Sequence, residues 1–177
     1  SSAGRHRSTL FTEAVDEYLD WGKSQGGRKG RPWSLNHAGN RARQLAWWRE
    51  SLGIEVLGDL TGVLGLVEKQ LRELQAQGRT GKTVSNYADT LGAFCDWCVR
   101  RGYLETDPLD GLAPFDTTPE VRRRAMTPDE ITRLLAVCPP ERRLLYETAL
   151  FSGLRVNELR HLTLEHLDLE RNGLHLD

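Results

Sequence analysis

Two stretches of the chain carry polar side chains whose types suit contact with a nucleic acid. Between Ser34 and Leu52, a projection at about 100° per residue places Ala38, Ala42, Trp48 and Leu52 on the side of Leu45. It turns Asn36, Asn40, Arg43 and Trp47 to the opposite side. Amides and a guanidinium are the groups that read purine edges, and a helix fits the major groove. Arg41 is counted with this set as a further cation on the segment. A solvated polar face is the competing reading. An outward Trp47, however, needs a partner, and stacking on DNA and contact with another subunit stay equally open for it. The second stretch is Thr80, Lys82, Thr83 and Asn86, which brings hydroxyls, an ammonium and an amide to a helix start. Free N–H groups and the helix dipole favour a phosphate there. Asp89 and Asp96 would repel phosphate further along, and a capped, solvated helix start explains the same residues without a ligand.

Cys95-x-x-Cys98 has the spacing of a redox pair or of half a zinc site. Both thiols share the inward face of their helix with Leu91 and Phe94, no second Cys or His pair stands at ligand spacing, and His161 and His166 are too isolated to supply one. Small buried cysteines are the expectation, with no metal and no cofactor. Three cysteines, Cys138 being the third, are too few for a secreted disulfide framework, and a cytoplasmic setting fits them.

The elements that must position these residues are helical. The 177 residues hold 38% hydrophobic and 7% aromatic side chains, enough for one real core or two small ones. Lys plus Arg number 24 against 25 Asp plus Glu, a net charge of −1 that excludes a histone-like polycation and makes any nucleic-acid site a local patch. No stretch approaches the roughly 20 apolar residues of a bilayer span, so no membrane partner is expected.

Helical spacing runs through almost the whole sequence. A first helix is expected over about Leu10 to Lys23, a second from Ser34 to Leu52 with Gly53 as its stop, and a third capped by Thr61 and stopped by Gly78. A fourth begins at Thr80 and reaches about Arg101. Asp107-Pro108 to Pro119 reads as a linker. Thr127-Pro128-Asp129-Glu130 then has the cap, the first-turn proline and the acidic third position of a helix start. Further helices cover Glu141 to Phe151 and Val156 to Leu162. Leu167, Leu169, Leu174 and Leu176 alternate around Asn172-Gly173 as a β-hairpin. The chain stops inside that hairpin, as a domain that has been cut would. The expected layout is a disordered tail over 1–8, a helical domain over 9–112, a linker over 113–126 and an incomplete second domain over 127–177.

The stretch from Tyr146 to Leu169, YETALFSGLRVNELRHLTLEHLDL, resembles the first box of the tyrosine recombinase (phage integrase) family. That pattern is an apolar helix, a [ST]-G-L-R turn, an apolar residue, any residue, and E-L; Ser152 through Leu159 fit it throughout. The helices from Leu10 to Trp97 and Asp107-Pro108 follow the order of the family's core-binding domain, so the resemblance covers about residues 9–177. It implies a mainly α chain: a four-helix SAM-like core-binding domain followed by a truncated α+β catalytic domain.

By the resemblance, Arg155 is a catalytic arginine and Glu158 supports it. Family members join a tyrosine to a DNA phosphate, and a guanidinium can hold the charge that gathers on the non-bridging oxygens. Glycine before the arginine allows the tight turn that projects it from a helix start. An ordinary surface ion pair between Arg155 and Glu158 is the alternative. The resemblance also implies a double-stranded DNA recombination site as partner, with Arg122, Arg123 and Arg124 along its backbone, assembly from dimer to tetramer on DNA, and a place in the bacterial nucleoid. The family's later lysine, His-x-x-Arg pair and nucleophilic tyrosine have no match: Lys82 is the last lysine, and Tyr18, Tyr87, Tyr103 and Tyr146 all precede Arg155. This stretch alone is therefore expected to bind without cutting. It would be a piece of a recombinase made by engineering or proteolysis. Two alternatives are a natural short regulator of recombination sites and a helical interaction module with no DNA role.

Overall fold

The computed structural model describes residues 7–118, 124–168, 170–171 and 173–174. The chain separates into two compact units, Ser1–Val121 and Arg122–Asp177. The described residues are mainly helical.

The first unit contains α1 (Phe11–Gln25), α2 (Leu35–Leu52), α3 (Leu64–Ala76) and α4 (Gly81–Arg100), with 3-10 turns at Arg28–Gly30 and Leu57–Leu60. Local chemistry sets several boundaries where the sequence reading puts them. Ser34 Oγ accepts from the His37 N–H at 3.2 Å, and Thr80 Oγ1 accepts from the Thr83 N–H at 3.3 Å. Gly53 closes α2 in the left-handed region at φ 66°. The apolar stripes meet in one core, in which Phe11, Tyr18, Leu45, Trp48, Leu60, Val67, Leu71, Leu91 and Phe94 are shut from solvent. Cys95 and Cys98 are buried in that core, and burial pushes the Cys98 thiol up to about 12.

Thr61 does not cap α3. Its N–H closes the preceding 3-10 turn onto the Gly58 carbonyl at 3.1 Å, and Gly62, at φ 74°, stands between it and the helix. α3 starts after Val63 with no side-chain cap, and it is the 3-10 turn that is capped, by Asp59, whose Oδ2 accepts the Glu55 and Val56 N–H groups at 3.0 Å each. Those two donors hold its carboxyl below the usual range. The chain is also tied in earlier than the expected tail over 1–8 allows. Arg7 O accepts from Gly58 N–H at 3.0 Å, Thr9 O from Leu57 N–H at 3.0 Å, and Glu55 O from Phe11 N–H at 2.9 Å, around an antiparallel bridge between Leu10 and Val56. Residues 1–6 of that tail lie outside the described residues.

The second unit contains α5 (Pro128–Val137), α6 (Pro140–Ser152), α7 (Val156–His161), a 3-10 turn at Leu164–His166, and strands β1 (Leu167–Asp168) and β2 (Gly173–Leu174). The strands pair antiparallel with Leu167 opposite Leu174 and Asp168 opposite Gly173. Leu169, Asn172 and Leu176 of the expected hairpin lie outside the described residues. α5 starts as a capping box, in which Thr127 Oγ1 accepts from the Glu130 N–H at 3.3 Å and Glu130 Oε2 accepts from the Thr127 N–H at 2.8 Å. No residue of these three helices is buried, and Phe151 is 89% exposed. Among the described residues no helix is long and apolar enough to cross a membrane.

Candidate nucleic-acid interface

The outer face of α2 is polar as read. Asn36, Asn40 and Arg43 are exposed, and the Arg43 guanidinium donates to the Asn40 side-chain oxygen, so that amide and cation form one surface pair. Thr80, Lys82 and Asn86 are exposed at the start of α4, where Thr83 is half-buried. The Thr80 and Thr83 hydroxyls lie 3.0 Å apart, so the cap leaves Lys82 in the first turn and Asn86 in the second as exposed polar groups.

Two residues of α2 depart from the sequence reading. Trp47 is half-buried, its ring edge-on to Trp48 at 4.7 Å and to Tyr87 of α4 at 4.7 Å. The partner it required is therefore in its own chain. The wheel misplaced it because α4 covers a wider arc of α2 than the stripe around Leu45, and Tyr87 fills that flank. Arg41 does not project outward with Arg43. Its guanidinium lies over the Trp33 ring, 5.2 Å from the centroid, and its Nε donates to His37 Nε2 at 3.0 Å. Sequence reasoning also missed Thr90 and Trp97, both buried on α4; the Thr90 hydroxyl donates to Gln44 Oε1 at 2.6 Å. Two glycines four residues apart at the end of α1, Gly22 and its C-cap Gly26, were the available signal for Trp33, since the indole lies directly against them.

In the second unit, Arg124 is already engaged. Its two terminal nitrogens donate to both carboxylate oxygens of Glu130 at 2.7 and 2.6 Å. That guanidinium, followed by the Thr127 N–H, pulls the Glu130 carboxyl down to about 2. Arg122 and Arg123 lie outside the described residues.

The Arg155 turn is built from local elements. α6 ends at Ser152, whose hydroxyl donates to the Thr148 carbonyl, and Gly153 takes a left-handed conformation at φ 68° that stops the helix. Arg155 then occupies the position before α7, with its side chain 87% exposed. Glu158, one turn on, accepts the Arg155 backbone N–H at 2.7 Å through Oε2 and approaches Nη1 at 3.3 Å through Oε1. The backbone donor, ahead of the guanidinium, lowers the Glu158 carboxyl below its usual range. The arrangement is more than a side-chain ion pair: the carboxylate fixes the backbone of the residue that carries the cation and leaves most of the guanidinium open.

No family model matches the chain. Prophage integrase IntR of Escherichia coli K12 is 31% identical over 95 residues, covering 54% of this chain and 23% of that protein. Tyrosine recombinase XerC of Neisseria meningitidis is 27% identical over 113 residues, covering 60% of this chain and 37% of that protein. The chain thus spans well under half the length of these curated relatives. Its fold is similar to that of lambda integrase in a crystal structure of the dimer bound to a COC′ core site, with TM-score 0.73 at 19% identity over 93% of this chain and 45% of that one. The chain is thus similar in sequence to integrases and tyrosine recombinases over 54–60% of its length, and in fold to lambda integrase over 93% of it.

Proposed function

We propose that this stretch of chain binds the DNA site of a site-specific recombinase that cuts and rejoins strands through a phosphotyrosyl intermediate. The observation that carries the proposal is Arg155: an open guanidinium at a helix start, placed by the Gly153 turn and held at its backbone by Glu158. Such a group can meet a phosphate oxygen with most of its guanidinium open. In the first unit, Asn36, Asn40 and Arg43 on α2 face the groove, and Lys82 and Asn86 at the start of α4 meet the backbone. Arg41 and Arg124 are left out of this face, because Arg41 lies over Trp33 with its Nε on His37 and Arg124 is paired with Glu130. None of Tyr18, Tyr87, Tyr103 or Tyr146 acts as nucleophile, so the stretch alone binds without cutting, and the working assembly is a dimer that pairs to a tetramer on DNA. The lambda integrase dimer on its core site and the lambda integrase tetramer on a Holliday junction support this reading by their fold.

The test is a titration against a short duplex at about 50 and 200 mM salt. Affinity should fall steeply with salt, and Arg43→Ala should weaken it about tenfold. A flat or absent response would favour a helical interaction module. In a longer chain that forms a covalent protein–DNA adduct, Arg155→Ala should nearly abolish it; equal yields would refute the catalytic assignment.

A further inference from the structure

A second polar site lies on another flank of the first unit. The end of α1, the Arg28–Gly30 turn, the start of α2 and the end of α4 enclose an open pocket of about 640 Å³. Its charge is unlike that of the chain: Arg28, Arg41, Arg100 and Arg101 line it against the single carboxylate of Asp96, in a protein whose net charge is −1. Asp96 is already paired, with Arg100 at 2.9 Å. The walls are aromatic. Trp21 and Trp33 are half-buried and meet nearly edge-on at 5.8 Å, and Trp97 lies behind them under the Arg101 guanidinium at 5.5 Å. Trp33 cannot drift, because its ring is seated on Gly22 and Gly26 so closely that a Cβ at Gly22 would come within 2.1 Å of it.

Two donors in this cluster are unanswered. Arg41 Nη1 and Trp97 Nε1 are both closed off from solvent, and neither donates to an acceptor among the described residues. Four guanidinium groups around one carboxylate that is already paired make this a cationic pocket suited to acceptor oxygens. Aromatic walls beside guanidinium groups are the surfaces on which nucleobases stack next to their phosphates, and the volume is that of a small-ligand site. We propose that this pocket binds a nucleotide, its phosphoryl oxygens on Arg41, Arg28 and Arg101 and its base against the Trp21 and Trp33 indoles. The nucleotide comes either from a DNA strand or from the free pool. The site is independent of the polar stripe of α2, since Arg41 points away from Arg43.

Tryptophan emission of the whole chain, titrated with dAMP and with inorganic phosphate, tests this directly. Saturable change with dAMP, about tenfold tighter than with phosphate, is expected. No saturation with either, or equal affinity for both, overturns the proposal. Arg41→Gln should weaken dAMP about tenfold. If that variant loses its helical circular dichroism, the exposed pair Arg28→Ala/Arg101→Ala carries the test, and unchanged dAMP affinity in a folded double variant overturns the site. Displacement of dAMP by a short duplex identifies a DNA strand as the source, and retention identifies the free nucleotide. If the α2 face fails to bind duplex, dAMP binding still stands, so the two readings fail separately.

Discussion

Glu158 accepts the backbone N–H of Arg155 at 2.7 Å while leaving that residue's side chain 87% exposed. A carboxylate in this position anchors where the arginine starts rather than where it ends. Glu158→Ala should therefore speed hydrogen exchange at the Arg155 amide several-fold, whereas Glu158→Gln, which keeps an acceptor oxygen, should retain much of the protection. Equal exchange in the wild type and Glu158→Ala would show that the contact contributes nothing.

Trp47 belongs to the packing between α2 and α4. Trp47→Ala removes two edge-to-face contacts from a half-buried site and should cost about 1–3 kcal/mol, read as a lower melting temperature. Duplex affinity of the folded variant should stay within about twofold. Loss of affinity with unchanged melting would return Trp47 to the binding face.

Two glycines of α4 should respond oppositely to the same change. A Cβ at Gly81 would stand 1.8 Å from the Asp116 carbonyl oxygen, so Gly81→Ala must push the 112–118 segment away, at about 1–3 kcal/mol. Gly92 has open space around it, and Gly92→Ala should stabilise by about 0.5–1 kcal/mol. Thermal denaturation of both variants, with proteolysis of the 112–118 segment as a local readout, checks the pair.

The helix start at Thr127 should depend on pH. Glu130 is held at about 2 by Arg124 and then by the Thr127 N–H, below its ordinary value of 4.5. A depressed carboxylate contributes stability that is complete above pH 4.5 and is lost as the pH falls toward about 2. α5 amide shifts followed by NMR from pH 6 downward should move in that window, and Glu130→Gln should abolish the movement. Adding duplex should leave the titration in place if Arg124 serves the cap; an upward shift would show DNA drawing the arginine off.

The sequence was most readable where one turn of chain decides the outcome. Ser34, Thr80 and the Thr127–Glu130 box act within three residues, and Gly53 and Gly153 act alone. Thr61 misled because a hydroxyl ahead of an apolar stripe resembles a cap, whereas α3 starts after Val63 with no side-chain cap and the Asp59 carboxylate closes the 3-10 turn before it. Arg41 and Trp47 were unreadable for another reason: their partners, Trp33 and Tyr87, come from other segments, and an angle on a helical wheel carries no information about what covers it. The Arg155 turn was legible because its glycine, arginine and glutamate are neighbours in sequence. The aromatic cluster that seats Arg41 draws on α1, the segment before α2, and α4, and appears only on folding.

The bridge between Leu10 and Val56 imposes an order of events on synthesis. The first helix leaves the ribosome well before the segment that receives its leading edge, and until Glu55 arrives the Phe11 amide has only water to bind. A nascent chain halted before Ile54 would hold a helix with no register, its apolar stripe bare to chaperones. Closure of that loop ties α1 to the turn before α3, and the core is complete only once α3 and α4 have joined it.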